Sequence, residues 1–266
     1  MMKYVYLLIL LTSNLFAAPD FLIIGVTKGG TTSLYDFLVQ HPKILGAKKK
    51  ELYFFIHDEK FNKGLSYYNS LFPTKKHKDD LLGEATPLYF QNQECPQRVA
   101  ALCPKAKLIL ILRNPAKRAV SHYFFFNSPS FSKKWQGLSF EAAIDKSKGW
   151  KNEIINQGYY FEHLIRWLKC FPKEQMHIVI LEDLVVSPEL EVNKVFNFLG
   201  LGNFKLDSYA PENKGSYSNG SITPESIKML EQVYEPHNKK LEEFLGRTLP
   251  WGSKITKSIL DDELFV

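Results

Sequence analysis

A single lysine lies in a glycine-rich segment near the start of the chain. Its apolar run is residues 21–24, and its turn contains Gly25, Lys28, Gly29 and Gly30. Two hydroxyl residues, Thr31 and Thr32, follow the turn. This order predicts a strand, a tight loop and the N-terminus of a helix. Free backbone N–H groups and partial positive charge at a helix N-terminus attract phosphate or sulfate. Lys28 adds a full charge, so the segment predicts an anion-binding site.

The loop differs from a nucleotide-binding P-loop at its lysine. Gly25 and Gly30 have the P-loop spacing, and Thr32 stands where a Mg²⁺-binding hydroxyl would be. Thr31 occupies the position that requires lysine, and the lysine lies inside the loop as Lys28. A kinase or NTPase is therefore a poor interpretation. The other alternative is a glycine-rich turn that only packs a helix on a strand.

A second candidate for anion binding follows residues 107–112, whose continuous apolar run predicts a central parallel strand covered on both faces. Asn114 and Pro115 suit the cap and first turn of a helix. Ligands lie beyond the carboxyl ends of parallel strands. We therefore expect Arg113 to bind a second anionic group, with Ser121 reaching it from about two turns into the helix. A salt bridge for Arg113 and a neutral helix position for Ser121 are the alternatives.

Glu51 lies between the basic residues 48–50 and the apolar residues 52–56. A carboxylate in that setting has its pKa lowered by lysines or raised by burial, which suits a general base. The alternative is a surface glutamate paired with a neighbouring lysine.

A late loop, residues 202–222, is rich in glycine, asparagine and serine and contains Lys214, Gly215 and Ser216. It is either a flexible linker or a lid that clamps a ligand phosphate. Thr223 then suits the N-cap of a last helix that extends to about Leu245.

The elements predicted between these segments indicate an α/β fold with a parallel sheet. Strands are expected at residues 21–24, 107–113 and 177–181, and residues 81–87 are expected to form a strand and a turn. Helices are expected at residues 31–39, 64–71, 97–102, 140–147, 158–169 and 189–199.

Composition limits the classes of function. The 266 residues carry a net charge of +6 and are 45% hydrophobic, which suits a globular protein with an anionic partner. The sequence has no recognisable nucleic-acid-binding motif and no obvious metal-ligand cluster. The three cysteines, Cys95, Cys103 and Cys170, are expected to be free thiols.

The first 18 residues resemble a secretory signal with a short apolar region, although a short membrane anchor or an extra element of the domain would also fit. We therefore expect residues 1–18 to be a signal peptide or short anchor and residues 19–266 to form a single domain. If residues 1–18 are a true signal, the protein is expected to be exported or located in a Golgi-like lumen. Otherwise it is expected to be cytoplasmic.

The Lys-Gly-Gly-Thr-Thr loop, the Arg-Asn-Pro-x-x-Arg-x-x-Ser-x-Tyr segment and the late Lys-Gly-Ser loop together resemble one family. They resemble the sulfotransferases that use 3′-phosphoadenosine 5′-phosphosulfate (PAPS), especially the heparan sulfate N- and 3-O-sulfotransferase branch. The resemblance extends from about residue 21 to residue 251. It implies a three-layer, P-loop-like sulfotransferase fold with a central parallel sheet flanked by helices.

The resemblance also implies a role for each site segment. Lys28, Gly29, Gly30, Thr31 and Thr32 would hold the 5′-phosphosulfate of PAPS, and Lys28 would also stabilise the leaving phosphate without a metal. Arg113, Ser121, Lys214, Gly215 and Ser216 would bind the 3′-phosphate. Glu51 matches the glutamate that this branch uses as general base, acting on a hydroxyl or amine, most simply of a carbohydrate.

Two departures from the branch leave the identity of the acceptor open. Ala85 stands where the branch has lysine, and the late loop lacks the paired cysteines of the branch. The ring of Tyr217, in the same loop, is expected to stack on adenine. A tyrosyl-protein acceptor, a small-molecule acceptor and a non-catalytic polyanion-binding protein therefore stay open as alternatives.

Overall fold

The carboxyl ends of five parallel strands meet at one edge of a twisted sheet. The computed structural model describes residues 19–128, 137–145, 151–210 and 222–251. The strands are β1 (Phe21–Gly25), β2 (Ile44–Gly46), β3 (Leu81–Ala85), β4 (Lys107–Leu112) and β5 (Met176–Ile180). Their order across the sheet is β2-β3-β1-β4-β5, and every neighbouring pair is parallel.

Helices connect the strands and follow the last of them. They are α1 (Thr31–Val39), α2 (Asp58–Phe61), α3 (Gly64–Ser70), α4 (Cys95–Leu102), α5 (Pro115–Asn127), α6 (Phe140–Ile144), α7 (Lys151–Asn156), α8 (Tyr160–Leu168), α9 (Leu181–Val186), α10 (Pro188–Leu199) and α11 (Pro224–Leu245). No helix in these described ranges is both long enough and apolar enough to cross a bilayer.

The sheet separates two hydrophobic cores, which makes the fold three-layered. Leu108 and Leu110 of β4 face one core, whereas Ile109 and Ile111 face the other. Because successive side chains of a strand point to opposite faces, a strand with a core on each side reads as one continuous apolar run. The predicted α/β fold with a parallel sheet is thereby confirmed.

Several local expectations differ from the structure: helices α2 and α7 were not expected, and the helix expected at residues 140–147 ends at Ile144. The short strand β2 was not expected, because its three residues, Ile44–Gly46, include a glycine and give no periodic signal. Leu181 was expected in the last strand but instead begins helix α9. Glu182 and Asp183, in the first turn of α9, interact favourably with the positive end of the helix dipole and mark this helix start.

Candidate functional site

The loop between β1 and α1 presents backbone N–H groups at the carboxyl edge of the sheet. Gly30 is the N-cap of α1, with φ of 89°, and no side chain caps the helix. A β-carbon on Gly30 would lie 2.8 Å from Cδ1 of Leu181, so only glycine fits this turn without displacement. The N–H groups of the first turn of α1, which includes Thr31 and Thr32, are thus left to a ligand.

Lys28 adds positive charge to this loop. Its backbone has φ of 64°, and its carbonyl oxygen accepts a hydrogen bond from Nη1 of Arg113 at 3.2 Å. Burial, and secondarily the charge of Arg113, lower the pKa of Lys28 to about 8. Within the described ranges Lys28 forms no ion pair with a carboxylate. A desolvated ammonium beside a guanidinium is a site for an anion.

Arg113 is held from its main-chain side at the end of β4. Its carbonyl oxygen accepts a hydrogen bond from the hydroxyl of Tyr160 at 2.8 Å. The next amide, that of Asn114, donates to Oε1 of Glu182 at 2.8 Å, and Oε2 of Glu182 accepts from the indole of Trp251 at 2.8 Å. These contacts join β4, α8, α9 and the residues after α11, and they fix the position from which the buried Arg113 side chain extends.

Helix α5 carries Ser121 towards the same loop. The side chain of Asn114 caps α5 by accepting from the amides of Ala116 and Lys117, as the sequence predicted. Ser121 is buried. Its neighbour His122 lies close enough to Lys28 for that charge to help lower the histidine pKa, after burial and Arg118. Ser121 and Lys28 therefore belong to one region of the molecule.

The Glu51 carboxylate is linked to the anion loop through Lys50. The Lys50 ammonium donates to Oγ1 of Thr32 at 2.9 Å and lies 3.6 Å from Oε1 of Glu51. The Glu51 side chain is 21% exposed, so the carboxylate remains accessible to a substrate. Tyr53 has its pKa raised by burial and by a hydrogen bond with Glu51.

Comparisons with known proteins identify the family of this chain. Residues 18–210 match the family model described as the sulfotransferase domain. The chain belongs to the sulfotransferase family. Heparan sulfate glucosamine 3-O-sulfotransferase 5 of Homo sapiens is 33% identical to this sulfotransferase over 257 residues, which cover 88% of this chain and 74% of the human one.

Two solved structures support the fold. A sulfotransferase from Alicyclobacillus acidocaldarius superposes with a TM-score of 0.71 and 27% identity, covering 88% of this chain and 98% of that one. Mouse sulfotransferase SULT7A1, solved as a complex with PAP, has a TM-score of 0.54 at 16% identity, covering 92% and 90% of the two chains. At that lower identity the second likeness supports the sulfotransferase fold alone.

The structure of this sulfotransferase brings together most of the residues that the sequence singled out. Residues 28–32, Glu51 and Arg113 lie at the carboxyl edge of the sheet, and Ser121 is buried on α5 beside His122, which is near Lys28. Lys214, Gly215, Ser216 and Tyr217 lie outside the described residues, so their part in the site stays a prediction. In the described ranges, no group of three histidine, cysteine, aspartate or glutamate side chains could hold a metal ion.

Sequence reasoning missed the residues that support this sulfotransferase site. Glu182 and Trp251 carry no motif of their own, and Glu84 and Thr86 were noted only as neighbours of Ala85 in the segment compared with the branch. All four nevertheless hold the loops in place. A signal for two of them was present, because Glu84 and Thr86 come at the end of a predicted parallel strand. Lys50 was seen only as part of a basic triplet, since its contact with Thr32 spans two loops.

Proposed function

We propose that this sulfotransferase moves a sulfuryl group from PAPS to a carbohydrate hydroxyl, by in-line transfer without a metal and with Glu51 as general base. The observation that carries the proposal is the position of Lys50, whose ammonium contacts both Thr32 of the anion loop and Glu51. A base must lie within hydrogen-bond reach of the acceptor while the donor group occupies the adjacent anion site. The Lys50 side chain thus links the proposed donor site to the proposed base.

The residues present fit a donor with two anionic ends. Lys28 and the first-turn amides of α1 would hold the 5′-phosphosulfate, whereas Arg113 and Ser121 would hold the 3′-phosphate. The supporting observation is that two cationic groups, Lys28 and the buried Arg113, face this edge, while Lys28 has no carboxylate partner in the described part of the chain. Lys214, Gly215 and Ser216 complete the proposed set.

The chain's own residues account for each proton and charge of the transfer. Glu51 accepts the proton of the acceptor hydroxyl while the oxygen of that hydroxyl forms a bond to sulfur. Lys28 stabilises the negative charge that develops on the phosphate oxygen when its bond to sulfur breaks. Sulfuryl transfer resembles phosphoryl transfer, in which catalysis consists mainly of positioning and electrostatic stabilisation. Lys50 orients Glu51 and adds a third positive charge.

A sulfated or carboxylated glycan is the acceptor class that the surface near Glu51 favours. Exposed Lys48, Lys49 and Lys63 lie on the segments around Glu51. The Lys63 ammonium lies 4.6 Å from the centre of the Tyr67 ring. Lysines interspersed with tyrosines suit the anionic groups and apolar faces of sugar residues. The human relative named above, which acts on heparan sulfate glucosamine, supports this choice.

Domain boundaries and location complete the proposal. We propose that residues 19–266 form one domain, because Tyr234 and Leu241 of α11 join the hydrophobic clusters that also contain residues of α5 and α8. Residues 1–18, which lie outside the described residues, stay predicted as a signal peptide or short anchor, and an exported or lumenal location depends on that prediction.

Transfer of labelled sulfate from PAPS tests the function directly. The wild-type protein is offered heparan sulfate fragments, unsulfated glycans, tyrosine peptides and phenols. We expect transfer to the glycans, and a loss of kcat of about 100-fold or more in the Glu51→Gln variant because the proton acceptor is removed. Binding of PAP, measured by calorimetry, should be unchanged in that variant.

Glu59→Gln is the matched control, since Glu59 is an exposed glutamate of α2 with 74% of its side chain accessible. It should keep wild-type kcat. Transfer by Glu51→Gln at the wild-type rate would exclude Glu51 as the base. Transfer to peptides or phenols but not to glycans would exclude the carbohydrate acceptor, and PAP binding without transfer to any acceptor would favour a non-catalytic polyanion-binding protein.

A further inference from the structure

The carboxylate of Glu84, in strand β3, is buried at 1% exposure and accepts three hydroxyl hydrogen bonds. Oε1 accepts from the hydroxyls of Tyr68 at 2.5 Å and Tyr89 at 2.9 Å, and Oε2 accepts from Oγ1 of Thr86 at 2.6 Å. A buried carboxylate is costly unless its oxygens are hydrogen-bonded. The proposed transfer reaction does not use this cluster.

Two of the three hydroxyls also hold the backbone that follows Glu51. Oγ1 of Thr86 accepts from the amide of Leu52 at 3.1 Å, and the hydroxyl oxygen of Tyr89 accepts from the amide of Phe54 at 3.0 Å. A hydroxyl has a single hydrogen. Since Thr86 and Tyr89 each donate this hydrogen to Glu84, their hydroxyl oxygens can only accept the hydrogen bonds of the two amides.

The third partner supports the same segment through its ring. The ring of Tyr68 stacks on that of Phe54, with centroids 4.2 Å apart and an angle of 14° between the planes. Every hydroxyl that contacts Glu84 therefore belongs to a side chain that contacts residues 52–54. These contacts define one cluster around Glu84, made of Tyr68, Thr86 and Tyr89.

The charge of Glu84 determines the direction of these hydrogen bonds. The pKa of Glu84 is raised overall, first by burial and also by the nearby Glu51, although the hydrogen bonds from Thr86, Tyr68 and Tyr89 oppose this rise. Three donors converging on two oxygens match the ionised carboxylate, because a protonated carboxyl would have to donate to one of them. The ionised form keeps Thr86 and Tyr89 as acceptors for the loop.

We propose that Glu84 is a positioning residue for Glu51, acting through the hydroxyls of Thr86 and Tyr89 to fix residues 52–54 and hence the carboxylate before them. This inference rests on the proposed function, in which Glu51 is the general base. Glu84 does not touch either substrate. A base displaced by about 1 Å can cost two orders of magnitude in rate.

The Glu84→Gln variant tests the proposal with little change in volume. Whichever way the glutamine amide is turned, its NH₂ group meets at least one hydroxyl that donates in the wild type. We expect kcat to fall about 10- to 100-fold while KM for PAPS stays within about twofold, because Lys28 and Arg113 are not disturbed. An unchanged kcat, or a rise in KM for PAPS with kcat preserved, would overturn the proposal.

A matched pair of tyrosine variants separates positioning from general loss of packing. Tyr89 and Tyr234 are both fully buried, and each hydroxyl is hydrogen-bonded, but that of Tyr234 contacts the carbonyl of Ile155 instead of the Glu51 segment. Tyr89→Phe should lower kcat about tenfold, whereas Tyr234→Phe should leave it unchanged at a comparable loss of thermal stability. Equal effects on kcat would contradict the positioning role.

A double variant distinguishes failure of this inference from failure of the proposed function. If Glu84 acts through Glu51, then Glu84→Gln should cause no further loss of kcat in the Glu51→Gln background. Additive losses would contradict the inference even when Glu51 is essential. Full activity of Glu51→Gln alone would instead reject the proposed function itself.

Discussion

At the scale of the residue, the charge of Lys28 is expected to depend on pH. It is buried beside Arg113, and these two effects lower its pKa to about 8. A bound anion would favour the charged ammonium and raise that pKa again. Binding of the donor is therefore expected to be coupled to proton uptake by Lys28.

The coupling predicts how affinity for PAP varies with pH. Below pH 8 Lys28 is already protonated in the free protein, so this group causes no change in the affinity for PAP with pH. Above pH 8 a proton must be taken up on binding, and the affinity should fall by up to about tenfold per pH unit until the pKa of the bound state is reached. Calorimetry in buffers of different ionisation enthalpy measures both the affinity and the protons taken up.

The Lys28→Arg variant provides the control for this pH dependence. Arginine stays charged throughout the range, so any PAP binding that the variant retains should be independent of pH between about 7.5 and 9.5. A wild-type affinity that is constant over the same range would show that Lys28 does not contact the anion.

At the scale of the element, helix starts are the features that place the site, and the sequence predicted two of them but not the start of α9. The N-terminus of α1 follows the glycine turn, and Asn114 caps α5 as expected. These signals are local, since a cap and a first turn are determined by a few adjacent residues. For the same reason the sequence placed residues 28–32 and Arg113 at helix starts, whereas their roles in binding, like that of Ser121, stay predictions.

The support of the site was not predictable because it joins segments far apart in the chain. Glu182 binds the amide of Asn114 and the indole of Trp251. Lys50 reaches Thr32 across two loops. A glutamate or lysine at such a position looks like any surface charge in a sequence, and only the packing of neighbouring strands reveals its partner.

The cap of α5 offers a test at this scale. Asn114→Ala removes the acceptor of two helix amides and should cost about 1 kcal/mol of folding free energy, lowering Tm by about 2–4 °C. Because Asn114 also follows Arg113 directly, we expect affinity for PAP to fall several-fold. Thermal unfolding and calorimetry measure the two effects on the same protein.

Asn114→Ser separates these effects from a simple change of side-chain volume. Serine is also a good N-cap, so this variant should recover most of both the stability and the affinity. If Asn114→Ala lost stability but kept its affinity for PAP, the position of Arg113 would not depend on the cap.

At the scale of the whole molecule, the distribution of charge matters more than the net value of +6. Exposed Lys48, Lys49 and Lys63 lie on segments that follow the carboxyl ends of the strands, on the side of Glu51. Other exposed lysines, including Lys43, Lys76, Lys105 and Lys173, come shortly before strands and so lie towards the opposite edge of the sheet. Lysines at both edges attract a polyanionic acceptor, so its binding at the site is expected to depend on contact with the lysines beside Glu51.

Contact with these three lysines predicts a salt-dependent KM for a polyanionic glycan. Replacing Lys48, Lys49 and Lys63 together by glutamine should raise KM for heparan sulfate about 3- to 30-fold, the effect of losing three exposed ion pairs. The dependence of KM on ionic strength should become weaker, because fewer screened contacts remain. The kcat and the affinity for PAP should not change, since none of these lysines lies in the anion loop.

Replacing Lys105, Lys169 and Lys173 by glutamine removes the same charge from the other edge and serves as the control. If long-range attraction by the net charge were the cause, both triple variants would raise KM equally, since each changes the net charge of the protein by the same amount. If contact beside Glu51 is the cause, only the first will do so. An effect confined to the variant near Glu51 would therefore assign the acceptor-binding surface to the segments on either side of the proposed base.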